Sequence, residues 1–260
     1  MTFRPRLVAL DVDGTLVDWD NLMTPAVREA VHAVVNAGIP VVVSTGRAVP
    51  GVMDAVDNLR LDNGIAVASN GAVIIAYRPV EVLHTVTFDA SETVKLLLEH
   101  VPDAAVAVEE IGSGYRINRQ FPEGELTGAL ELQSIDELVA EPVTRVIIRS
   151  PDQSAEEFVE LAERLGLHGT NYYVGYTAWL DLAPEGVSKA SGLEQVADRL
   201  GIDQADVLAI GDGRNDVEML SWAGRGVAMG ESPLQVQECA DDITETVEND
   251  GVVVELRRWF

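Results

Sequence analysis

The sequence predicts an α/β fold, a doubly wound parallel sheet with a second domain inserted into it. Continuous apolar runs such as Leu7–Leu10 and Val207–Ile210 alternate with amphipathic segments near both ends of the chain. This alternation is typical of buried parallel strands that helices cover on both faces. Between about Arg78-Pro79 and Ala183-Pro184 the predicted strands become shorter and follow one another at hairpin-like spacings. A proline at each crossing is typical of stiff connections that bound an inserted domain.

The first part of the chain has clear signals for individual elements. Thr24 is a suitable N-cap, Pro25 a suitable first-turn residue, and Gly38 ends the helical pattern. Apolar positions at helical spacing predict one buried helix face, formed by Val27, Val31, Val34 and Val35. The strands predicted here are Leu7–Leu10, Ile39–Val43 and Ile65–Ala68, and a short helix is predicted over Pro50–Leu59.

The remaining elements divide between an inserted segment and a second core segment. In the inserted segment we predict strands at Leu83–Thr87, Ala104–Glu109, Tyr115–Asn118, Thr144–Arg149, Tyr172–Tyr176 and Trp179–Leu182, and helices at Ser91–His100 and Ser154–Leu165. After it we predict strands at Val207–Ile210 and Gly226–Met229, and helices at Ser188–Leu200, after Asp216 and at Val252–Trp259. The core is therefore predicted to be discontinuous, residues 1–79 and 185–260, with an α+β domain over residues 80–184.

The composition is that of a chain able to bury a sizeable core. Its 260 residues are 47% hydrophobic and 23% charged, which is ordinary for a globular protein. No apolar run approaches the roughly 18 residues of a membrane span. Met1–Arg6 is too short and too charged for a secretory signal, so we expect a cytoplasmic protein. A single cysteine, Cys239, excludes an intramolecular disulfide.

The charge balance is strongly acidic. Forty-three acidic and 18 basic residues give a formal net charge of −25. Such a field disfavours binding to nucleic acid and to anionic membrane surfaces, so we expect neither as a partner. Lysine occurs only at positions 95 and 189, which makes the setting of each lysine informative.

Asp11-Val12-Asp13-Gly14-Thr15 is the most informative stretch of the chain. It follows Leu7–Leu10, so its two carboxylates are predicted to emerge where a buried strand ends. Ligands bind at the carboxyl ends of strands in open α/β sheets. Gly14 allows a tight turn, and Thr15 adds a hydroxyl. The alternative is an Asx-rich turn without a catalytic role.

Three further loops beside predicted core elements carry polar residues suited to phosphate chemistry. They contribute Thr45, Lys189 and the segment Asp212–Asp216. Carboxylates from two loops would make an all-oxygen site suited to Mg²⁺, and they would repel one another without a cation. Lys189 and Arg47 supply positive charge of the kind that stabilises a transferring phosphoryl group.

These residue types match the steps of phosphoryl transfer. Asp11 can attack phosphorus and form an aspartyl-phosphate, and Asp13 can protonate the departing alkoxide and later activate water. Asp212 would share the metal with Asp11. Thr45, Gly46, Arg47, Lys189 and Asn215 are the candidate phosphate-binding residues, and Asp216 is a candidate supporting residue. Each also has a structural interpretation, because Thr45-Gly46 can end a strand, Lys189 can be solvated, and Asp212 and Asp216 can cap a helix.

Taken together, the motifs resemble those of the haloacid dehalogenase-like phosphatases, in the Cof-type branch (subclass IIB). The matching strings are Asp11–Thr15, Ser44–Arg47, Asn70–Ala72, Gly186–Lys189, Gly211–Asp216, Gly226–Gly230 and Asp250–Val252. The resemblance implies a Rossmann-like core with a large inserted cap. Where the family continues with Asn-Ala after Gly230, this chain has Glu231-Ser232, so no role is carried over for that loop.

Carried over residue by residue, the resemblance implies a nucleophile at Asp11 and an acid/base at Asp13. Mg²⁺ would be held by Asp11, the backbone carbonyl of Asp13, and Asp212. Thr45 and Lys189 would bind the phosphoryl group. The second carboxylate, Asp13, implies a phosphatase or phosphomutase, since relatives that act as dehalogenases or cation-pumping ATPases lack it.

The expected function is Mg²⁺-dependent hydrolysis of a small phosphorylated metabolite, such as a sugar phosphate, by a monomer or homodimer. A phosphomutase is an alternative, although nothing in residues 80–184 indicates a site that retains a bisphosphorylated intermediate. A non-catalytic phospho-ligand sensor is another, although such proteins would usually lack one of the two N-terminal carboxylates, and both are present.

Overall fold

The computed structural model of the chain describes residues 3–150, 154, 157, 160, 161, 164, 165, 170–174 and 179–260. It divides into two compact units. The first comprises Met1–Arg47, Val52–His84 and Ser188–Phe260, and the second comprises Ala48–Gly51 and Thr85–Val187. None of the described helices combines the length and apolar character needed to cross a membrane.

The first unit is built on an eight-stranded sheet. Its strands are β1 (Leu7–Leu10), β2 (Val41–Ser44), β3 (Gly64–Ala68), β4 (Val73–Tyr77), β5 (Glu81–Thr85), β12 (Val207–Gly211), β13 (Arg225–Ala228) and β14 (Asp242–Ile243). They lie in the order β14-β13-β12-β1-β2-β3-β4-β5. Pairing is parallel from β14 to β3 and antiparallel between β3 and β4. The predicted α/β class with a doubly wound, Rossmann-like core is confirmed.

Six of the eight described helices lie wholly or mostly in the first unit. They are α1 (Pro25–Asn36), α2 (Val49–Leu59), α5 (Lys189–Leu200), α6 (Val217–Trp222), α7 (Leu234–Cys239) and α8 (Gly251–Leu256). Helix α1 begins as predicted, because the Thr24 side chain accepts a hydrogen bond from the Val27 backbone N–H and Pro25 follows it. Val27, Val31 and Val34 are buried, whereas Val35 is 40% exposed, so its predicted place in the core is wrong.

The second unit contains a six-stranded sheet and two described helices. Its strands are β6 (Ala105–Glu110), β7 (Gly114–Ile117), β8 (Ala129–Leu132), β9 (Val146–Arg149), β10 (Thr170–Val174) and β11 (Trp179–Pro184), and its helices are α3 (Ser91–His100) and α4 (Ile135–Leu138). The order is β10-β11-β9-β6-β7-β8. Val106, Val108 and Ile148 pack with Val94 and Leu97 of α3 in one apolar cluster.

A few expectations for individual elements are corrected. The strand predicted at Leu83–Thr87 in the inserted segment is β5, which forms the edge of the first sheet. The hairpin-like spacing predicted for the inserted strands holds for β6 with β7 and for β10 with β11, which pair antiparallel, whereas β8 pairs with β7 in parallel. Strands β4, β8 and β14 and helices α4 and α7 were not predicted; each spans six residues or fewer, so its periodic signal is weak. The helix predicted over Ser154–Leu165 lies partly outside the described residues, as do the last two residues of Tyr172–Tyr176.

The parallel register brings four polar segments to one edge of the first sheet. Leu10 is paired with Ile210 on one side and with Val43 on the other, and Ser44 is paired with Val67. Strands β1, β2, β3 and β12 therefore end together. The residues that follow them in the chain begin the loops of the candidate site.

Candidate active site

A buried lysine joins two carboxylates at this edge. Lys189 Nζ lies 2.6 Å from Asp11 Oδ1 and 2.6 Å from Asp216 Oδ1. Lys189 and Asp216 are fully buried, and Asp11 is 4% exposed. The carboxylates of Asp11 and Asp216, together with Asp212, place ligand atoms within 4.8 Å of one another. The predicted convergence of Asp11, Asp212, Asp216 and Lys189 is thus present in the structure.

The start of helix α5 fixes Lys189. Ser188 and Ser191 form a reciprocal capping box, in which each side chain hydrogen-bonds the backbone N–H of the other. Lys189 is the first helical residue after this cap. Gly192 of the same helix packs on the end of β3, where an added Cβ would lie 2.6 Å from Val67 Cγ1. The helix therefore approaches the sheet closely enough for the Lys189 ammonium to reach Asp11.

Asp216 is held by its own loop. Its Oδ2 accepts hydrogen bonds from the backbone N–H groups of Asp212, at 3.1 Å, and Gly213, at 2.9 Å. With Oδ1 on Lys189, both oxygens of this buried carboxylate have donors. This arrangement suits a residue that fixes the lysine and the Asp212 loop, as its predicted supporting role requires.

The pKa values of the other two carboxylates, Asp11 and Asp212, are raised. Burial and the charge of Asp216 raise the pKa of Asp11 to about 7, although Lys189 lowers it. Burial and the charge of Asp11 raise the pKa of Asp212 to about 9. The two acids raise the pKa of Lys189 more than burial lowers it, so the ammonium stays charged. Asp11 and Asp212 therefore form a site with excess negative charge, which a bound cation would neutralise.

The donor set fits Mg²⁺. Asp11 and Asp212 offer carboxylate oxygens, the hard ligands that Mg²⁺ prefers, and no histidine or cysteine belongs to the described cluster. Thr15 Oγ1 lies 3.5 Å from Asp212 Oδ1, which is long for a hydrogen bond. The carboxylates of Asp11 and Asp212 are thus suited to hold a small divalent cation between them.

Gly14 lets the first loop pass directly over Asp212. Its φ is +76°, and an added Cβ would lie 2.5 Å from Asp212 Oδ2. Both the left-handed backbone and the close approach exclude a side chain here. The glycine of the Asp11–Thr15 motif is therefore needed to bring the loop after β1 close to the loop after β12.

Asp13 points to Arg47 rather than to the buried cluster. Arg47 donates from Nε to Asp13 Oδ2 at 3.0 Å and from Nη2 to Asp13 Oδ1 at 2.5 Å. Arg47 Nη2 also donates to Asn21 Oδ1 at 2.8 Å. The Asp13 side chain is 51% exposed. Arg47, predicted to bind phosphate, is thus paired in this structure with the predicted acid/base.

The loop after β2 carries Thr45 and Gly46. Thr45 is buried, and its hydroxyl accepts a hydrogen bond from the Arg47 backbone N–H at 3.1 Å. Beside Gly46 lie two amide side chains, in which Asn215 Nδ2 donates to Asn70 Oδ1 at 2.9 Å. Asn215 therefore reaches the loop after β2 through Asn70. Asn70 was recognised only as part of a matching string and given no role, although an Asn-Gly pair at a strand end signals a left-handed turn.

Glu231, where the sequence departs from the motifs it resembles, links two loops near the end of the chain. Its Oε1 accepts a hydrogen bond from the Val247 backbone N–H at 2.8 Å. This contact gives the residue a structural part at the end of β13.

Comparison with known proteins decides the family. The sequence model of the haloacid dehalogenase-like hydrolases matches residues 8–256. The chain belongs to this family. The predicted Cof-type branch is confirmed, and the predicted enzyme class, a phosphoric monoester hydrolase, agrees with the family and with the names of its relatives.

Among the relatives of this haloacid dehalogenase-like hydrolase is the 5-amino-6-(5-phospho-D-ribitylamino)uracil phosphatase YcsE of Bacillus subtilis. The two are 30% identical over 260 residues, which cover 98% of this chain and 95% of the relative. A haloacid dehalogenase-like hydrolase from Bacteroides thetaiotaomicron has a TM-score of 0.82 and 27% identity, covering 99% of this chain and 100% of the other. A phosphatase of the haloalkanoate (HAD) superfamily from the same organism has a TM-score of 0.81 and 29% identity, covering 98% and 95%.

Proposed function

We propose that the chain is a Mg²⁺-dependent phosphatase that hydrolyses a small phosphorylated metabolite through an aspartyl-phosphate on Asp11. The observation that carries the proposal is the contact of Asp11 Oδ1 with the buried Lys189 ammonium at 2.6 Å, beside Asp212. A carboxylate buried with a cation is protected from bulk water and can be held ionised for attack on phosphorus.

In the first step an Asp11 oxygen forms a bond to phosphorus while the bond from phosphorus to the ester oxygen breaks. Lys189 remains charged and close to the nucleophile, where it offsets the charge that gathers on the transferring group. Asp11 and Asp212 would hold Mg²⁺, with the Asp13 main-chain carbonyl as a further ligand. When bound, the ion lets both carboxylates ionise and neutralises phosphoryl charge.

Asp13 would act as acid and then as base. It gives a proton to the departing ester oxygen, and in the second step it takes a proton from the water that attacks phosphorus and frees Asp11. Its exposed side chain can reach a leaving group, provided that the contact with Arg47 opens. Arg47 would then be available for the anionic substrate.

The phosphoryl group would bind Thr45, Gly46 and Asn215 together with Lys189 and Arg47. Thr45 and Gly46 lie in the loop after β2, and Asn215 reaches that loop through Asn70. We further propose that the inserted segment, predicted at residues 80–184, acts as a cap that contacts the leaving group. A sugar phosphate or related ester is the proposed substrate class, and the name of the YcsE relative, a phosphoribitylamino compound's phosphatase, supports such esters.

Hydrolysis of p-nitrophenyl phosphate with Mg²⁺ tests the proposal. We expect activity that chelation by EDTA abolishes and Mg²⁺ restores, and that Asp11→Asn removes. Asp62→Asn is the matched control, since Asp62 is an exposed carboxylate of the same unit. Full activity in Asp11→Asn would overturn the role of Asp11. A panel of sugar, polyol and nucleotide phosphates would then test the substrate class through kcat/KM.

A further inference from the structure

The turn after β3 has an unusual backbone. Ser69, Asn70 and Gly71 have φ values of +50°, +52° and +102°. Two consecutive residues with side chains in the left-handed region cost free energy, and such strain persists only where the surrounding structure holds it. The turn directly follows a buried strand at the edge where the candidate site lies.

The strained turn is hydrogen-bonded to the loop that carries Thr45. The Ser69 backbone N–H donates to the Arg47 carbonyl at 2.9 Å, and the Asn70 N–H donates to the Thr45 carbonyl at 3.1 Å. An extended strand would send successive N–H groups to opposite sides. The left-handed turn instead directs both donors to one loop, so both ends of the Thr45–Arg47 segment are fixed.

The Asn70 side chain reaches the loop after β12. Asn70 is 2% exposed, and its Oδ1 accepts the hydrogen bond from Asn215 Nδ2 at 2.9 Å. A Cβ added to Gly46 would lie 3.1 Å from Asn70 Oδ1, 3.3 Å from Asn70 Nδ2 and 3.5 Å from Asn215 Nδ2. The two amides therefore lie directly behind Gly46, and that glycine leaves room for them.

We propose that Asn70 is a positioning residue of the phosphoryl site. Its backbone fixes the loop of Thr45 and its side chain fixes Asn215, so one residue sets the spacing between two candidate phosphate-binding groups. The inference rests on the proposed function, because it needs a phosphoryl group bound by Thr45 and Asn215. It extends that function, which gave Asn70 no role.

Asn70→Gly separates the side chain from the backbone. Glycine adopts the left-handed turn without strain, so this variant removes the amide while it preserves the turn. We expect kcat/KM for p-nitrophenyl phosphate to fall about 10- to 100-fold, the usual loss when a positioning partner is removed. The urea concentration at the midpoint of unfolding should fall too little to explain this loss of activity. Arg60→Gly is the matched control, since exposed Arg60 also has a positive φ, +56°, and should retain wild-type kcat/KM.

Two further measurements distinguish positioning from a general structural role. The inhibition constant of inorganic phosphate should rise about tenfold in Asn70→Gly, because a misplaced Asn215 weakens ground-state binding as well. The losses of kcat/KM caused by Asn70→Gly and Asn215→Ala should not add. The kcat/KM of the double variant should lie within about threefold of that of the less active single variant.

The outcomes separate the two proposals. Wild-type protein without Mg²⁺-dependent phosphatase activity would overturn the proposed function. Activity in the wild type with unchanged kcat/KM and phosphate inhibition in Asn70→Gly would overturn the positioning role alone. Additive losses in the double variant would likewise show that Asn70 does not act through Asn215.

Discussion

Removal of the Lys189 ammonium should destabilise the first unit strongly. In Lys189→Met an apolar side chain of similar length replaces a fully buried cation that lies 2.6 Å from Asp11 and 2.6 Å from Asp216. The loss would leave two buried carboxylates without their counter-charge. Asp216 would keep its two backbone donors, whereas Asp11 would keep mainly the repulsion of its acidic neighbours.

The expected loss of stability follows from the free-energy cost of breaking a buried ion pair. Removal of one partner of a buried ion pair destabilises by about 3–5 kcal/mol, because a desolvated charge remains. In a domain of this size, each kcal/mol shifts Tm by about 2–4 °C. We therefore expect Tm to fall by roughly 6–20 °C. The lower part of this range applies when Asp11 takes up a proton, which its raised pKa of about 7 favours.

Thermal and urea unfolding of the metal-free protein measure this loss. Lys95→Met is the control, since Lys95 is the other lysine of the chain, and its Nζ lies 3.7 Å from Asp136 with the side chain 58% exposed. An exposed pair contributes about 0–1 kcal/mol, so this variant should unfold close to the wild type. If Lys189→Met were no less stable than Lys95→Met, the argument from buried charge would be refuted.

Three other predictions concern the metal site and the second unit. Gly14→Ala should weaken Mg²⁺ binding at least about tenfold, because the added methyl displaces the Asp212 carboxylate and strains the turn. Isothermal titration calorimetry measures this affinity, and an unchanged value would contradict the close approach of Gly14 to Asp212. Because their pKa values are raised to about 7 and about 9, Asp11 and Asp212 stabilise the metal-free fold at low pH and lose that contribution as the pH rises from about 4 through these values. The increase of Tm on adding Mg²⁺ should therefore be larger at pH 8 than at pH 5, and an equal increase would contradict the assignment. Arg145→Met should lower the free energy of unfolding, measured with urea, by about 3–5 kcal/mol, because Arg145 Nη2 lies 2.6 Å from the buried Asp181 carboxylate. A loss below about 1 kcal/mol, typical of exposed pairs, would contradict a stabilising role of this buried ion pair.

Local signals determined much of the fold from the sequence. The apolar run Leu7–Leu10 is strand β1 with the predicted bounds, and the Thr24-Pro25 signal gives the start of α1. Strand burial and helix capping depend on residues within one or two turns, so a sequence pattern records them directly. The family motifs likewise named Asp11, Asp13, Lys189 and Asp212 as candidates before their positions were known.

Tertiary structure decided how these residues meet and which partner each one contacts. Lys189 and Asp11 are 178 positions apart and come together because α5 packs on β3 and β12 pairs with β1. The pairing of Asp13 with Arg47 and the place of Asn70 behind Gly46 also depend on how loops from different strands cross. Such contacts are set by sheet register, close glycine approaches and left-handed turns. An Asn-Gly pair signals a left-handed turn locally, but which distant loops then meet is a property of the packed molecule that no local pattern in the sequence specifies.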